Sequence, residues 1–459
     1  MRYPSPEMVR VPGRYLRYVI YSLFLTAAAL VALEGLYRAG ATWHFWTVPF
    51  AASPSIRSWD ELFHDPSLLN ARYGAGDVDN CFRADRQGGL LRAGGSDCPQ
   101  VREQALPTGR DGRLRVLILG ESSVFGVPLP IEESFPAQVQ ARLGNALVLN
   151  GGVCSGNSAT ALRVLHRAGP VFQPDVVIAY MGHNEYYPLW THNLPELADL
   201  MPPAAVRKAL SRSLLLRAMA FRIGPSRRIL TQMDSVVSRF ERLHPVATPA
   251  MVENWRRAER LIEDNFRSNL TALARGSRAL GARVLLLSVT SPLFVPPGFS
   301  IHRAGFPISE VAPFARDLEA LDGMSRSGRS EELVARAQPL LEMDPTYAQL
   351  RFEVGMALWR LNRRAEGLAH LRAARDARPE LLVRAPTSIA GLIREVSRRE
   401  GADFLDVEET FVSADDFGPG PPVLFADWVH FSAEGNRRVA DLIVERLSAA
   451  AGRVREISP

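Results

Sequence analysis

Leu114-Arg-Val-Leu-Ile-Leu-Gly-Glu-Ser-Ser-Val-Phe-Gly126 decides how this chain is read. Leu114 to Leu119 is a short, mostly apolar run of strand length, and the small residues after it suit a tight strand-to-helix turn. Such a turn would hold the hydroxyl of Ser122 at the carboxyl edge of an open α/β sheet, where sheets of that kind do chemistry. A serine hydroxyl is a weak nucleophile at neutral pH. It needs an imidazole to take its proton and a carboxylate to fix that imidazole's tautomer. Far downstream, Asp427-Trp-Val-His430 supplies both on one turn of chain ahead of a helix beginning near Ala433.

Each of these signals has a plain structural reading when taken singly. Ser122 could cap a helix, and Asp427 with His430 could be a buried polar contact or a metal-ligand pair. Two further segments shift the balance. Asn150-Gly-Gly-Val-Cys-Ser-Gly156 and Gly182-His-Asn-Glu185 both follow short apolar runs, so both could bring oxyanion donors to the same sheet edge.

In this order the four segments resemble the blocks of the SGNH hydrolases, also called GDSL esterases/lipases: a Gly-Asp-Ser nucleophile turn, a glycine, a Gly-x-Asn and an Asp-x-x-His. The resemblance spans most of the chain. It implies that Ser122 is the nucleophile, that Asp427 and His430 complete the triad, and that Asn184 donates its side-chain amide to the oxyanion. The backbone N–H of Ser122 and that of a glycine, Gly156 first or Gly152 second, would be the other donors. Glu121 stands where the family has Asp, Glu185 follows Asn184 where Asp is common, and the glycine block is one residue longer than the pattern.

Ser122 lacks the second glycine of the α/β-hydrolase nucleophile elbow, and only two residues separate Asp427 from His430. The expected fold is instead an α/β, three-layer flavodoxin-like sandwich. Its parallel five-stranded sheet has strands at about 114–120, 146–150, 175–181, 282–289 and 402–407, and helices near 131–143, 157–168, 250–280, 386–399 and 433–449.

Ahead of this domain, Tyr18 to Leu33 carries no charge, with Arg2, Arg10, Arg14 and Arg17 before it and Glu34 and Arg38 after. Extended to Tyr37, it reaches the roughly 20 residues that span a bilayer core. A cleaved signal peptide ending at Ala39-Gly-Ala41 is the competing reading, but the run is longer than the usual ~7–15 residues. The distribution of arginine places residues 1–17 in the cytoplasm and the rest across a bacterial inner membrane, facing the periplasm. Tyr15, Tyr18 and Tyr21 on one side and Tyr37, Trp43 and Trp46 on the other fit aromatic belts.

Between 38 and 112 lie Cys81 and Cys98, which could close a disulfide loop in an oxidising periplasm. Cys154 reads as a small residue of the glycine block rather than as a second nucleophile. The hydrolase region is expected over 113–312 and 384–459, interrupted at 313–383 by a helical insertion. There Pro345 to Pro379 has the period of a tetratricopeptide repeat, with Gly355, Leu358, Gly367, Leu371 and Ala374 at its packing positions. A fainter unit runs from about Pro313 to Leu341, and an ordinary helical hairpin competes with the repeat reading. A second insertion, Tyr186 to Val246, is read as a helix packed over the active site, with a membrane-surface helix as the alternative, and the loop Pro292 to Gly305 as part of the substrate rim.

Net charge is +5, and nearly all the basic charge is arginine spread along the chain, so no nucleic-acid partner is expected. The nine histidines form no metal-ligand spacing and no phosphate or dinucleotide loop is present, so neither metal nor cofactor is expected. The resemblance implies a serine esterase working through an acyl-enzyme on an acylated small molecule, lipid or glycan. The alternatives are an O-acyltransferase of envelope polysaccharide and a non-catalytic scaffold whose repeats bind a protein partner.

Overall fold

The computed structural model describes residues 78–85, 89–186, 246–297, 300–377, 384–413, 418 and 424–457, with isolated helical positions between Tyr21 and Leu36. Most of Tyr18–Tyr37, the greater part of 38–112 before Val78, and nearly all of Tyr186–Val246 lie outside the described residues. Among the described residues no helix is long and apolar enough to cross a membrane.

The described chain opens with a small antiparallel sheet that the sequence did not announce: β1 (Phe82–Asp85), β2 (Leu90–Ala93) and β3 (Gln104–Pro107), in that order. Its strands of four residues are too short to show an alternation, and a disulfide between Cys81 and Cys98 staples them. Both half-cystines are buried, in one core with Phe82, Leu91 and Val101. Closing a loop across a separation of 17 residues should stabilise the fold by about 3 kcal/mol through the unfolded chain. Cys81→Ser with Cys98→Ser is therefore expected to lower the urea midpoint, and a midpoint equal to that of the oxidised protein would rule the staple out as a source of stability.

The main sheet follows: β4 (Leu114–Gly120), α1 (Ser122–Phe125), α2 (Phe135–Leu143), β5 (Ala146–Gly152), α3 (Ser158–Phe172), β6 (Val176–Tyr180), α4 (Pro249–Ala279) and β7 (Arg283–Leu287). The helical insertion comes next, as α5 (Ile308–Arg326), α6 (Ser330–Met343), α7 (Ala348–Arg360) and α8 (Arg364–Asp376). The chain then returns through α9 (Thr387–Glu400), β8 (Asp403–Leu405), α10 (Val407–Val412) and α11 (Ala433–Ile457). Five parallel strands lie in the order β5-β4-β6-β7-β8, the doubly wound arrangement in which the order reverses beside the first strand. Val116, Leu117, Ile118 and Leu119 are fully buried, as a strand covered on both faces requires.

The insertion is two helix–turn–helix pairs. Phe314, Leu321, Leu333, Ala337, Leu340, Leu350 and Val354 form their own core between α5, α6 and α7. Phe352 and Met356 of α7, with Leu371 and Ala374 of α8, join the core of the main sheet instead, so the insertion packs on that domain. α7 and α8 approach so closely at Gly355 and Gly367 that a Cβ on either would lie about 3 Å from the other's carbonyl oxygen. Pro313 does not begin a unit: it sits inside α5, which starts at Ile308. The loop around Ile301–Ala304 packs against the α6–α7 turn, with His302 bonded to Asp344 and Ser300 to Gln349.

Candidate active site

β4 ends at Gly120, where a Cβ would stand 2.1 Å from Tyr180 O and 2.4 Å from Val124 Cγ2, so only glycine lets the chain turn there. Ser122 is the first residue of α1. N–H groups in the first turn of a helix have no carbonyl behind them, which leaves the Ser122 N–H available beside its own hydroxyl.

The distant Asp-x-x-His segment closes on this turn. His430 Nε2 lies 2.8 Å from Ser122 Oγ, and His430 Nδ1 lies 2.6 Å from Asp427 Oδ2. The three-residue spacing has a clear physical reason. Asp427 Oδ1 accepts the N–H groups of Val429 at 2.9 Å and His430 at 2.8 Å, so the same carboxylate folds the loop and orients the ring. Ala426 N–H donates to His430 O at 2.8 Å, and Phe425 stacks on Phe431 with ring centroids 5.6 Å apart. Phe431 in turn meets Phe135, Tyr180 and Phe411, which roots the loop in the core. Ser123 Oγ donates to Val429 O at 3.2 Å and ties nucleophile turn to histidine loop directly, a contact that neither segment predicts alone. Partial burial pulls the Asp427 carboxyl up, but the bonds from the His430 ring and from two backbone N–H groups outweigh it and hold the carboxyl down at about 2.

Asn184 donates Nδ2 to Gly156 O at 2.8 Å, which fixes the amide and leaves its second N–H for another acceptor. Neither proposed glycine offers a free N–H. That of Gly156 closes a turn onto Val153 O at 2.9 Å, and that of Gly152 is taken by Asn150 Oδ1 at 2.9 Å. Gly152 has a packing role instead, since a Cβ there would lie 2.2 Å from Phe125 N beneath the nucleophile turn. Cys154 is only partly buried, and desolvation pushes its thiol up to about 11, away from thiolate chemistry.

The two departures from the family pattern have positions that explain them. Glu121 is buried, and its Oε1 accepts the N–H of Gly182 at 2.9 Å and of Asn184 at 3.2 Å, so the longer side chain holds the Gly-x-Asn block against the nucleophile turn. Glu185 is buried too and accepts Ser158 N–H at 2.7 Å, capping α3. Burial, and then the charge of Glu185, push Glu121 up to about 8, and burial pushes Glu185 up to about 7. His183, between them in sequence, is held neutral: burial first, then His430, pull it down to about 3.

A carboxyl whose pKa is higher folded than unfolded makes the native state bind protons more tightly. Its contribution is complete below about 4.5 and is lost as pH rises through about 8. Chemical denaturation across that window should therefore show stability falling with pH. Glu121→Gln, which keeps an acceptor for both N–H groups, is expected to flatten the fall, and an unchanged slope would show that Glu121 does not carry it.

The small sheet also reaches the site. Arg102 donates Nε to Phe125 O at 2.9 Å and Nη2 to Leu129 O at 2.8 Å, and its guanidinium lies 4.1 Å from the centre of the Phe125 ring. Gln104 bonds both the N–H and the C=O of Asn150. Among the described residues no cluster of His, Cys, Asp and Glu is placed to hold a metal ion.

No family model matches the chain, and no curated protein sequence matches it. Among solved structures, the chain is similar to the acetyl xylan esterase AlAXEase at 12% identity and a TM-score of 0.32, covering 72% of this chain and 99% of that one. It is similar to a lipase/acylhydrolase from Enterococcus faecalis at 12% identity and a TM-score of 0.31, covering 73% and 96%. It is also similar to AlinE4, an SGNH-hydrolase family esterase, at 13% identity and a TM-score of 0.27, covering 76% and 100%. Likenesses this faint carry no weight by themselves. The likeness to the SGNH hydrolases lies in the order of four sequence blocks, and in this chain those blocks bring Ser122, His430 and Asp427 together in space.

Proposed function

We propose that this chain is an SGNH-type serine hydrolase that cleaves an ester through an acyl-enzyme. The observation that carries this reading is the continuous relay from Asp427 through both ring nitrogens of His430 to Ser122 Oγ, at 2.6 and 2.8 Å. Ser122 Oγ attacks the ester carbonyl carbon while His430 Nε2 takes its proton, and the carbonyl electron pair moves onto oxygen. The Ser122 N–H and the free N–H of the Asn184 amide receive that oxyanion. Collapse of the tetrahedral intermediate expels the alcohol, protonated by His430, and leaves the acyl group on Ser122. Water, deprotonated by the same imidazole, then releases the acid.

The finer assignments rest on sequence. A single-pass anchor at Tyr18–Tyr37 in a bacterial inner membrane, with the catalytic region in the periplasm, is supported by the uncharged run. It is supported also by the exposure of Tyr21, Val31, Leu33 and Leu36, at 51–74%. The α5–α8 insertion is read as two tetratricopeptide-like units, on the spacing of Gly355, Gly367 and Leu371 and the close contact of the two glycines. Such units present a face for a protein partner.

The full-length chain in detergent, treated with a fluorophosphonate probe, tests the central reading. Labelling confined to Ser122 supports it. A folded wild type that takes up no probe would leave the non-catalytic scaffold as the better account.

A further inference from the structure

A cavity of about 310 Å³ opens where the start of α4, the 301–304 loop and the α6–α7 turn meet, and it shares no residue with the Ser122 site. That volume is at the small end of ligand pockets, which run from about 300 to 1,000 Å³. His302, 3% exposed, lines it.

The ring of His302 is oriented on every side but one. Nδ1 pairs with Asp344 Oδ2 at 2.9 Å, Phe306 stacks on the ring at 3.9 Å between centroids, Tyr347 packs on it tilted at 4.5 Å, and Phe314 meets it in a T-shaped contact at 4.8 Å. Asp344 is itself fully buried, and its remaining acceptor positions are filled by the N–H of Arg303 and by the N–H and hydroxyl of Thr346. A carboxylate so engaged fixes the ring with Nδ1 toward it and Nε2 away. Nε2 forms no hydrogen bond among the described residues.

The surroundings specify the charge of what enters. Arg256 and Arg303 line the cavity, and none of the described lining residues is acidic. The Arg303 guanidinium is already positioned by Met343 O at 2.9 Å and Ala304 O at 3.3 Å. Ala348, the first residue of the 13-residue helix α7, also faces the cavity and adds the positive end of that helix. Val252 and Ile301 supply an apolar wall.

We propose that this cavity is a second binding site, for a small ligand carrying an oxyanion, a carboxylate or a phosphate, on a short apolar body. His302 presents its Nε2 edge to the ligand, Asp344 holds the ring in place, and Arg303 and Arg256 supply the charged donors to the oxyanion. The site is separate from the proposed hydrolase chemistry, and its occupancy does not depend on Ser122.

Sodium acetate and sodium phosphate, titrated at constant ionic strength against sodium chloride, test it on the full-length protein in detergent with the histidine ring resonances followed by NMR. One imidazole, identified by its absence in His302→Gln, is expected to shift saturably, equally in wild type and Ser122→Ala. Arg303→Gln and Arg256→Gln, at exposed positions that leave the core intact, should each weaken binding about tenfold. Tighter binding of acetate marks a carboxylate ligand, and tighter binding of phosphate marks a phosphate ester. A His302 ring that ignores both anions in the folded protein, moves equally in chloride, or binds unchanged in the two arginine variants overturns the proposal.

Discussion

Ser122→Ala and His430→Ala are each expected to lower turnover of short-chain p-nitrophenyl esters by about 10⁴–10⁶-fold, with the double variant scarcely worse than either single one. Non-additivity follows from the geometry, because Ser122 Oγ has one base, His430 Nε2 at 2.8 Å, and the base has no other nucleophile to serve. Asp427→Asn is the more discriminating change. Asn can still accept the Val429 and His430 N–H groups through its carbonyl oxygen and so keep the loop folded. Its amide would then face His430 Nδ1 with N–H instead of a lone pair, which favours the ring tautomer that cannot take the serine proton. A loss of about 10⁴-fold in kcat with an intact melting transition is the expected signature. Steady-state rates on the full-length chain decide the matter: three variants within tenfold of wild type would mean that the array is not catalytic. The half-exposed Asp427 makes the test worthwhile, since its position resembles a surface loop contact more than a buried catalytic acid.

Sequence alone made most of the main sheet legible because β4 to β7 are mostly apolar runs bounded by small or charged residues. Burial of those four strands on both faces leaves no polar alternation to confuse the reading, while β8 is only partly buried. Ser122, Asp427 and His430 were legible because their spacing is tied to local hydrogen bonding: the Asp-x-x-His interval is what lets one carboxylate bond two backbone N–H groups and a ring. The opening β1–β3 sheet was not legible, since its four-residue strands depend on the Cys81–Cys98 staple and on Gln104 and Arg102 docking against the main domain. Ser123 was missed because its function is a contact with Val429, far away in sequence. Glu121 and Glu185 were noticed only as departures. Their work is to receive backbone N–H groups from other segments, and sequence gives no period for that. Which glycine donates was illegible for a related reason. A backbone N–H has no sequence signature, and here that of Gly152 bonds the Asn150 side chain while that of Gly156 closes a turn on Val153 O.

With both glycine N–H groups engaged, Asn184 carries more of the oxyanion stabilisation than in a site with three independent donors, and Asn184→Ala is expected to reduce kcat by about 10²–10³-fold with little change in KM. The reasoning is differential. The amide is already held by Gly156 O in the resting state, so its second N–H is positioned before substrate arrives and strengthens only as charge develops on the carbonyl oxygen. Asn184→Asp separates orientation from donation, because it preserves size but places a charged acceptor against both Gly156 O and the developing oxyanion. It should be at least as damaging as alanine. Glu121→Gln keeps both N–H bonds to the Gly-x-Asn block and should retain most of the rate, whereas Glu121→Ala frees the block and should reproduce part of the Asn184→Ala loss. Equal kcat values for wild type and Asn184→Ala would assign the oxyanion to backbone donors alone and would require the Gly156 N–H to leave Val153 O during turnover.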